Sequence, residues 1–145
     1  MGKSAGVRLL SFAVVCLTLA GWLPLAAQTP TLSCQDGQRV KQVAELLFGR
    51  DVGRRTAVST SAWAHFVAHE LIARFADGLT VTDAIGQWRD PAGGTIVREP
   101  TKKVEIVLPG NDDDQARLDA VVKAYKREFR QRSVGVIVRP ACVSF

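Results

Sequence analysis

The arrangement of apolar and polar positions falls into six runs after residue 38. From Arg39 to Arg50 they alternate: Ala44, Leu46 and Phe48 share one side of an extended chain, and Val43, Glu45 and Leu47 share the other. The period then changes. Trp63, Phe66, Val67 and Leu71 recur at three and four, an apolar helical stripe that Phe75 closes. Ser59, Thr60 or Ser61 is placed to cap this helix, and Asp77-Gly78 to end it. Two β-rich runs follow, Leu79 to Arg89 and Thr95 to Leu108. Between them lies Asp90-Pro91-Ala92-Gly93-Gly94, a hairpin turn in which Pro91 presets φ and Gly93 and Gly94 supply positive φ. Pro100 predicts a break, a bulge or an edge position inside the second of these strands. Asn111 or Asp112 is placed to cap a second helix with the stripe Leu118, Val121, Val122, Tyr125 and Phe129. Its acidic start, Asp112 to Asp114, and basic end, Lys126 to Arg132, suit the helix dipole. Ser133 to Phe145 alternates again, with Val134, Val136 and Val138 on one side and Ile137 and Arg139 on the other.

The order β-α-β-β-α-β predicts an α+β fold of the ferredoxin-like, split β-α-β kind: a four-stranded antiparallel sheet with two helices on one face. Right-handed crossovers put the first and third strands at the centre and the fourth antiparallel to the first. The start of the first strand then lies beside the end of the fourth. That brings Cys34 toward Cys142, and a disulfide between them is expected, with two unpaired thiols as the alternative.

The ends set the compartment. Lys3 and Arg8 precede an uncharged, mostly apolar run from Leu9 to Leu23, and Leu25-Ala26-Ala27 resembles a cleavage site. Residues 1–27 therefore read as a signal peptide, residues 28–38 as an extended lead-in and residues 39–145 as one domain. The chain is expected to be exported, periplasmic or secreted, and free of the membrane once cleaved; an uncleaved leader would be an N-terminal anchor. Two of the nineteen basic residues go with the leader, leaving seventeen against fourteen acidic ones, a net charge of +3. That modest excess, with export, excludes nucleic acid as a main partner.

Candidate chemistry is sparse. Two helices cover one sheet face, so the other is wet, paired with a second copy of the chain as a homodimer, or a ligand site. Leu47, Val107 and Ile137 are expected there with Glu45, Glu105 and Arg139, and Glu45 with Arg139 as a cross-strand ion pair. Gln87, Trp88 and Arg89, with Arg98 across the hairpin, form a candidate grip over that face. Arg50, Arg54 and Arg55, in the loop after the first strand, suit an anion. His65 and His69 are four apart on a helix, yet no third ligand follows in sequence and neither zinc-protease spacing is present, so no metal is expected. No heme or flavin motif and no G-x-S-x-G is present, and no cofactor is expected. The catalytic residues, if any, stay unassigned. The favoured reading is a domain that binds a small molecule or a protein through its open sheet face. The alternative is a cofactor-light enzyme of the dimeric α+β barrel kind, using Glu45, Glu105, Trp88 or Arg89.

Several stretches carry a family resemblance: Leu47-Phe48-Gly49-Arg50, Asp77-Gly78-Leu79-Thr80-Val81, Gly86-Gln87-Trp88-Arg89, Arg98-Glu99-Pro100-Thr101-Lys102 and Cys142-Val143-Ser144-Phe145. With these the chain resembles the bacterial family catalogued as domain of unknown function 3574, over about Val40 to Phe145. The resemblance supports the domain extent and export, and it implies no activity.

Overall fold

The computed structural model describes Gly2 and residues 32–145, apart from 53, 54, 57, 91 and 92. The leader expected over residues 1–27 lies, Gly2 apart, outside the described residues, and so do Arg54 and Pro91. The alternation from Arg39 to Gly49 forms β1. Two short strands not foreseen from the sequence, β2 (Asp51–Val52) and β3 (Arg55–Thr56), pair with each other directly after it. The helix α1 (Thr60–Phe66) follows, then β4 (Thr80–Arg89), β5 (Ile96–Val107), α2 (Asp114–Phe129) and β6 (Gly135–Val143). The sheet runs β4-β5-β1-β6, antiparallel throughout, with the first and third long strands central as the crossover rule requires.

One sheet face carries the core. Ala44, Leu46 and Phe48 lie opposite or diagonal to Val104 and Ile106 across the β1–β5 ladder, and all are buried. Both helices press on this face: Trp63, Phe66 and Leu71 from the first helical segment, Leu118, Val121, Tyr125 and Phe129 from α2. Phe48 is the hub, with ring centroids 5.4 Å from Trp63, 5.9 Å from Phe66 and 4.7 Å from Tyr125. Such tilted and edge-on pairs add about 0.5–1.5 kcal/mol each beyond area burial.

The helical stripe contains an irregularity with a clear cause. After Phe66 the helix widens into a π turn over Val67–Leu71, where the Ile72 amide donates to Val67 O at 2.9 Å. Phe66 and Leu71 are five apart, which at 100° per residue would point them well apart. The wider turn brings both onto the core, and both are fully buried. Ser59 is the cap residue, its hydroxyl accepting from the Ala62 amide at 3.1 Å.

Three details depart from expectation. β5 is unbroken at Pro100, because Pro100 O faces the β1 side, where it accepts from the Arg50 amide at 2.9 Å just past the end of β1. The missing N–H would point the same way, toward Arg50 O, which accepts from the Val58 amide at 3.2 Å instead. Of the two glycines in the hairpin turn Gly94 alone has positive φ, at 67°, and its amide donates to Asp90 O at 2.8 Å. At the start of α2 neither Asn111 nor Asp112 caps through its side chain. Asp114, buried, reaches back instead, accepting from the Gly110 amide at 2.8 Å and the Asn111 amide at 3.0 Å. Arg117 pairs with the other Asp114 oxygen and donates to Arg74 O at 2.7 Å, which ties α2 to the end of the first helical segment.

Cys34 and Cys142 are bonded, with Cα atoms 5.4 Å apart and a sequence separation of 108. Closing so long a loop contributes on the order of 4 kcal/mol in the chain-entropy account. A Cys34→Ser/Cys142→Ser double variant is expected to lose about that much in urea unfolding with an almost unchanged β-sheet spectrum. A loss below about 1 kcal/mol would show that the unfolded chain is already constrained.

Candidate functional site

The ladders assign each strand residue to a face. Away from the helices stand Val43, Glu45, Leu47 and Gly49 of β1, Trp88 with Gly86 and Ala84 of β4, Val97, Glu99, Thr101, Lys103, Glu105 and Val107 of β5, and Gly135, Ile137 and Arg139 of β6. The expected mixture of Leu47, Val107, Ile137, Glu45, Glu105 and Arg139 is thus on one surface, but its ion pairs are exchanged. Glu45 lies opposite Ile137, not Arg139. Its carboxylate takes Lys103 at 2.5 Å, and Arg139 instead lies 3.8 Å from Glu105.

The grip of Gln87, Trp88 and Arg89 with Arg98 does not assemble. Side chains alternate along a strand, so Trp88 faces the open side while Gln87 and Arg89 face the helix side. Arg98 lies opposite Gln87 and donates to its Oε1 at 3.0 Å, and Arg89 donates to Gly94 O at 2.8 Å. Arg50 is likewise engaged: its Nε and Nη2 both donate to Val58 O, at 3.0 and 2.5 Å, so it braces the loop leading to α1. His65 and His69 have ring centroids 4.2 Å apart and are exposed, and no cluster of three metal-ligating side chains occurs among the described residues.

What the sequence did not single out is Glu99. Its Oε1 accepts from the Trp88 indole N–H at 2.9 Å and its Oε2 from the Asp51 amide at 3.2 Å. The carboxylate lies across β1 at Gly49, where a Cβ would come 2.5 Å from Glu99 Oε1. Gly86 opposite is bare for a similar reason, since a Cβ there would come 2.5 Å from Thr101 Oγ1. These bare positions leave a hollow of about 710 Å³, lined by Leu47, Gly49, Trp88, Val97, Glu99 and Gly135 and rimmed by Arg130 and Arg132 after α2. Arg130 ends α2 with φ at 54°, a left-handed position that a non-glycine residue adopts at some cost. Gln131 donates to Asp51 O at 2.9 Å and ties the rim to the floor. A smaller hollow of about 520 Å³, near Lys41, Leu79, Glu105 and Val107, occupies the other end of the face.

Gly49 also joins this hollow to the core. From the helix side, the Tyr125 hydroxyl donates to Gly49 O at 2.8 Å. Burial raises the Tyr125 pKa well above its ordinary value, an effect that the nearby Arg50 charge opposes and Glu99 and Glu128 reinforce.

Three of the stretches that carried the family resemblance meet at this place: residues 47–50 through Gly49, residues 86–89 through Gly86 and Trp88, and residues 98–102 through Glu99 and Thr101. A family profile described as "Protein of unknown function (DUF3574)" matches residues 43–145. The chain belongs to this family. No curated protein matches the sequence. Among solved structures, a phage SAM lyase in complex with S-methyl-5'-thioadenosine is similar, with a TM-score of 0.58 and 16% identity over 81% of this chain and 97% of that one. Its apo state gives 0.54 and 15%, over 80% and 97%. CutA from Synechococcus elongatus PCC7942 gives 0.47 and 13%, over 74% and 81%. At these identities the likeness to the two lyase structures supports the ferredoxin-like fold of this family member, and the fold alone.

Two outcomes test the geometry. The chain has one tyrosine, so phenolate absorbance reports Tyr125 alone. In the folded protein it is expected to stay protonated well past pH 10, where an unfolded tyrosine ionises. A raised folded pKa contributes stability that is complete below about pH 10 and is lost as pH rises above it. Wild-type stability should fall more steeply there than that of Tyr125→Phe; parallel curves would contradict the buried hydroxyl. Gly49→Ala should displace the movable Glu99 carboxylate, shifting the Trp88 indole N–H resonance, at a cost of about 1 kcal/mol in stability. An unmoved indole resonance would show that Glu99 does not lie over Gly49.

Proposed function

We propose that this family member is an exported binding domain that holds a small molecule in the hollow between Trp88, Glu99 and Gly49, and that pairs with a second copy across the rest of its open sheet face. The observation that carries the binding half is the convergence at one hollow of an aromatic ring 40% exposed, a carboxylate held by two donors, and glycines that keep its floor bare. The phage SAM lyase named above was solved with a nucleoside thioether, which makes that compound a reasonable first probe for a hollow of this size. Export is supported by the charged and apolar pattern of residues 1–27 and fits a cross-link between Cys34 and Cys142.

The second-copy half rests on apolar side chains that neither helix covers. Ile137 is 46% exposed on the open face, diagonal to partly buried Leu47, and Val107 lies farther along the same face. The barrel-type enzyme reading draws less support, because Glu45 and Glu105 each carry a cationic partner and Arg89 faces the other way.

Sedimentation is expected to give a dimer mass, and Ile137→Asp to convert it to a folded monomer. A wild-type monomer at all concentrations would remove the second-copy half. The binding half is checked separately by following amide shifts with S-methyl-5'-thioadenosine and a panel of small metabolites. Ligand-induced shifts should centre on residues 86–88 and 97–101, and shifts centred on the outer faces of the helices would overturn the proposed site.

A further inference from the structure

Carboxylates on the open face are not equivalent. Glu45 is paired with Lys103 and Glu105 with Arg139, but Glu99 has no cationic partner among the described residues. Its two contacts are neutral donors, the Trp88 indole and the Asp51 amide. Each oxygen keeps further acceptor capacity, since a carboxylate offers about four lone-pair sites. Asp51 adds a second negative charge beside it, with Oδ1 buried and without a hydrogen-bond partner. The cations at the rim do not compensate. Arg132 is 3.9 Å from Asp90 with its side chain 79% exposed, and Arg130, exposed at the end of α2, forms no ion pair with Glu99. Trp88 has given its only donor to Glu99, so what it presents to a ligand is an apolar, electron-rich ring.

Building on the binding reading above, we infer that the hollow selects a planar organic cation, an amidinium or guanidinium group stacked on Trp88 and donating to Glu99. A ring face attracts a flat cation, and a carboxylate accepts from two parallel N–H groups, so the two side chains together recognise charge and shape at once. A neutral molecule of the same outline would gain only the stacking, and an anion would be repelled by Glu99 and Asp51.

Three probes of one size separate these cases: benzamidine, benzamide and benzoate, titrated into the protein expressed from its full sequence while the Trp88 indole N–H resonance is followed. Benzamidine is expected to bind about tenfold or more tighter than benzamide, and benzoate weakest, since a charge-assisted hydrogen bond is worth about that ratio. Glu99→Gln should bring benzamidine to the level of benzamide and leave benzamide within about twofold. Equal or tighter binding of benzamide or benzoate by the wild-type protein would overturn the cation inference and leave the hollow as a ligand site. Loss of benzamide along with benzamidine in Glu99→Gln would show that Glu99 shapes the hollow and does not read charge. No response to any of the three would remove both this inference and the site.

Discussion

Gly49 is the point on which both faces of the sheet depend. On the core side its carbonyl accepts the Tyr125 hydroxyl, a polar group buried within the aromatic hub. On the open side its missing Cβ lets the Glu99 carboxylate lie flat against β1. Any larger residue would move Glu99, release the Trp88 indole and open the Asp51 amide, because those three are joined through the same two oxygens. The core and the hollow are therefore two sides of one strand end. The ladder to β5 stops there because Pro100 has no N–H to return to Arg50, whose carbonyl accepts from the Val58 amide at 3.2 Å and whose side chain donates to Val58 O.

This arrangement explains where the sheet is protected and where it is not. The helices bury the middle of β1 and β5, whereas the β4–β5 hairpin extends beyond them. On its helix-facing side Ile85 is 69% exposed. The sheet edges are also uneven: β6 carries Val136 and Val138 toward the helix side, yet both are exposed, since the core cluster is built mainly on β1 and β5. The disulfide fastens this weakly covered edge strand to the segment before β1. A covalent tie matters most where side-chain packing contributes least.

Period and topology were legible in the sequence because they rest on local physics. The period of two in residues 39–49 and 135–143, the three-and-four spacing in α1 and α2, and the crossover rule suffice for element order, sheet order and the Cys34–Cys142 contact. The π turn was not legible, because it is a tertiary response to the five-residue gap between Phe66 and Leu71. Neither was Asp114, whose capping role depends on the chain folding back at Gly110. At the site, Trp88 was identified, but Gln87, Arg89 and Arg98 were grouped with it by nearness in sequence, although alternation sends them to the opposite face. Glu99 was passed over because its importance comes from what lies across two strands from it. One signal was available: a glycine ending β1, a glycine in β4 and a glutamate in β5 fall in the stretches that carried the family resemblance. Close approach between neighbouring strands is a reason for glycine in a strand.

Glu99 also stands apart energetically. A partly buried carboxylate satisfied by two neutral donors is rarely the most stable choice for such a position; an apolar residue of similar volume, with Trp88 turned to pack on it, would often serve the fold as well or better. The paired Glu45 and Glu105 are explained by solubility and cross-strand attraction, worth little and costing little at partly exposed positions. Glu99 has no such explanation. Three backbone positions are shaped around it or beside it: Gly49 beneath it, Gly86 opposite, and the Asp51 amide turned toward it. A group that stability does not require, and that the surrounding backbone nonetheless accommodates, is best accounted for by what it meets from solution. On the proposed reading a ligand meets this face at the end of β1 and not along the middle of the sheet, where Glu45 and Glu105 are already paired with Lys103 and Arg139.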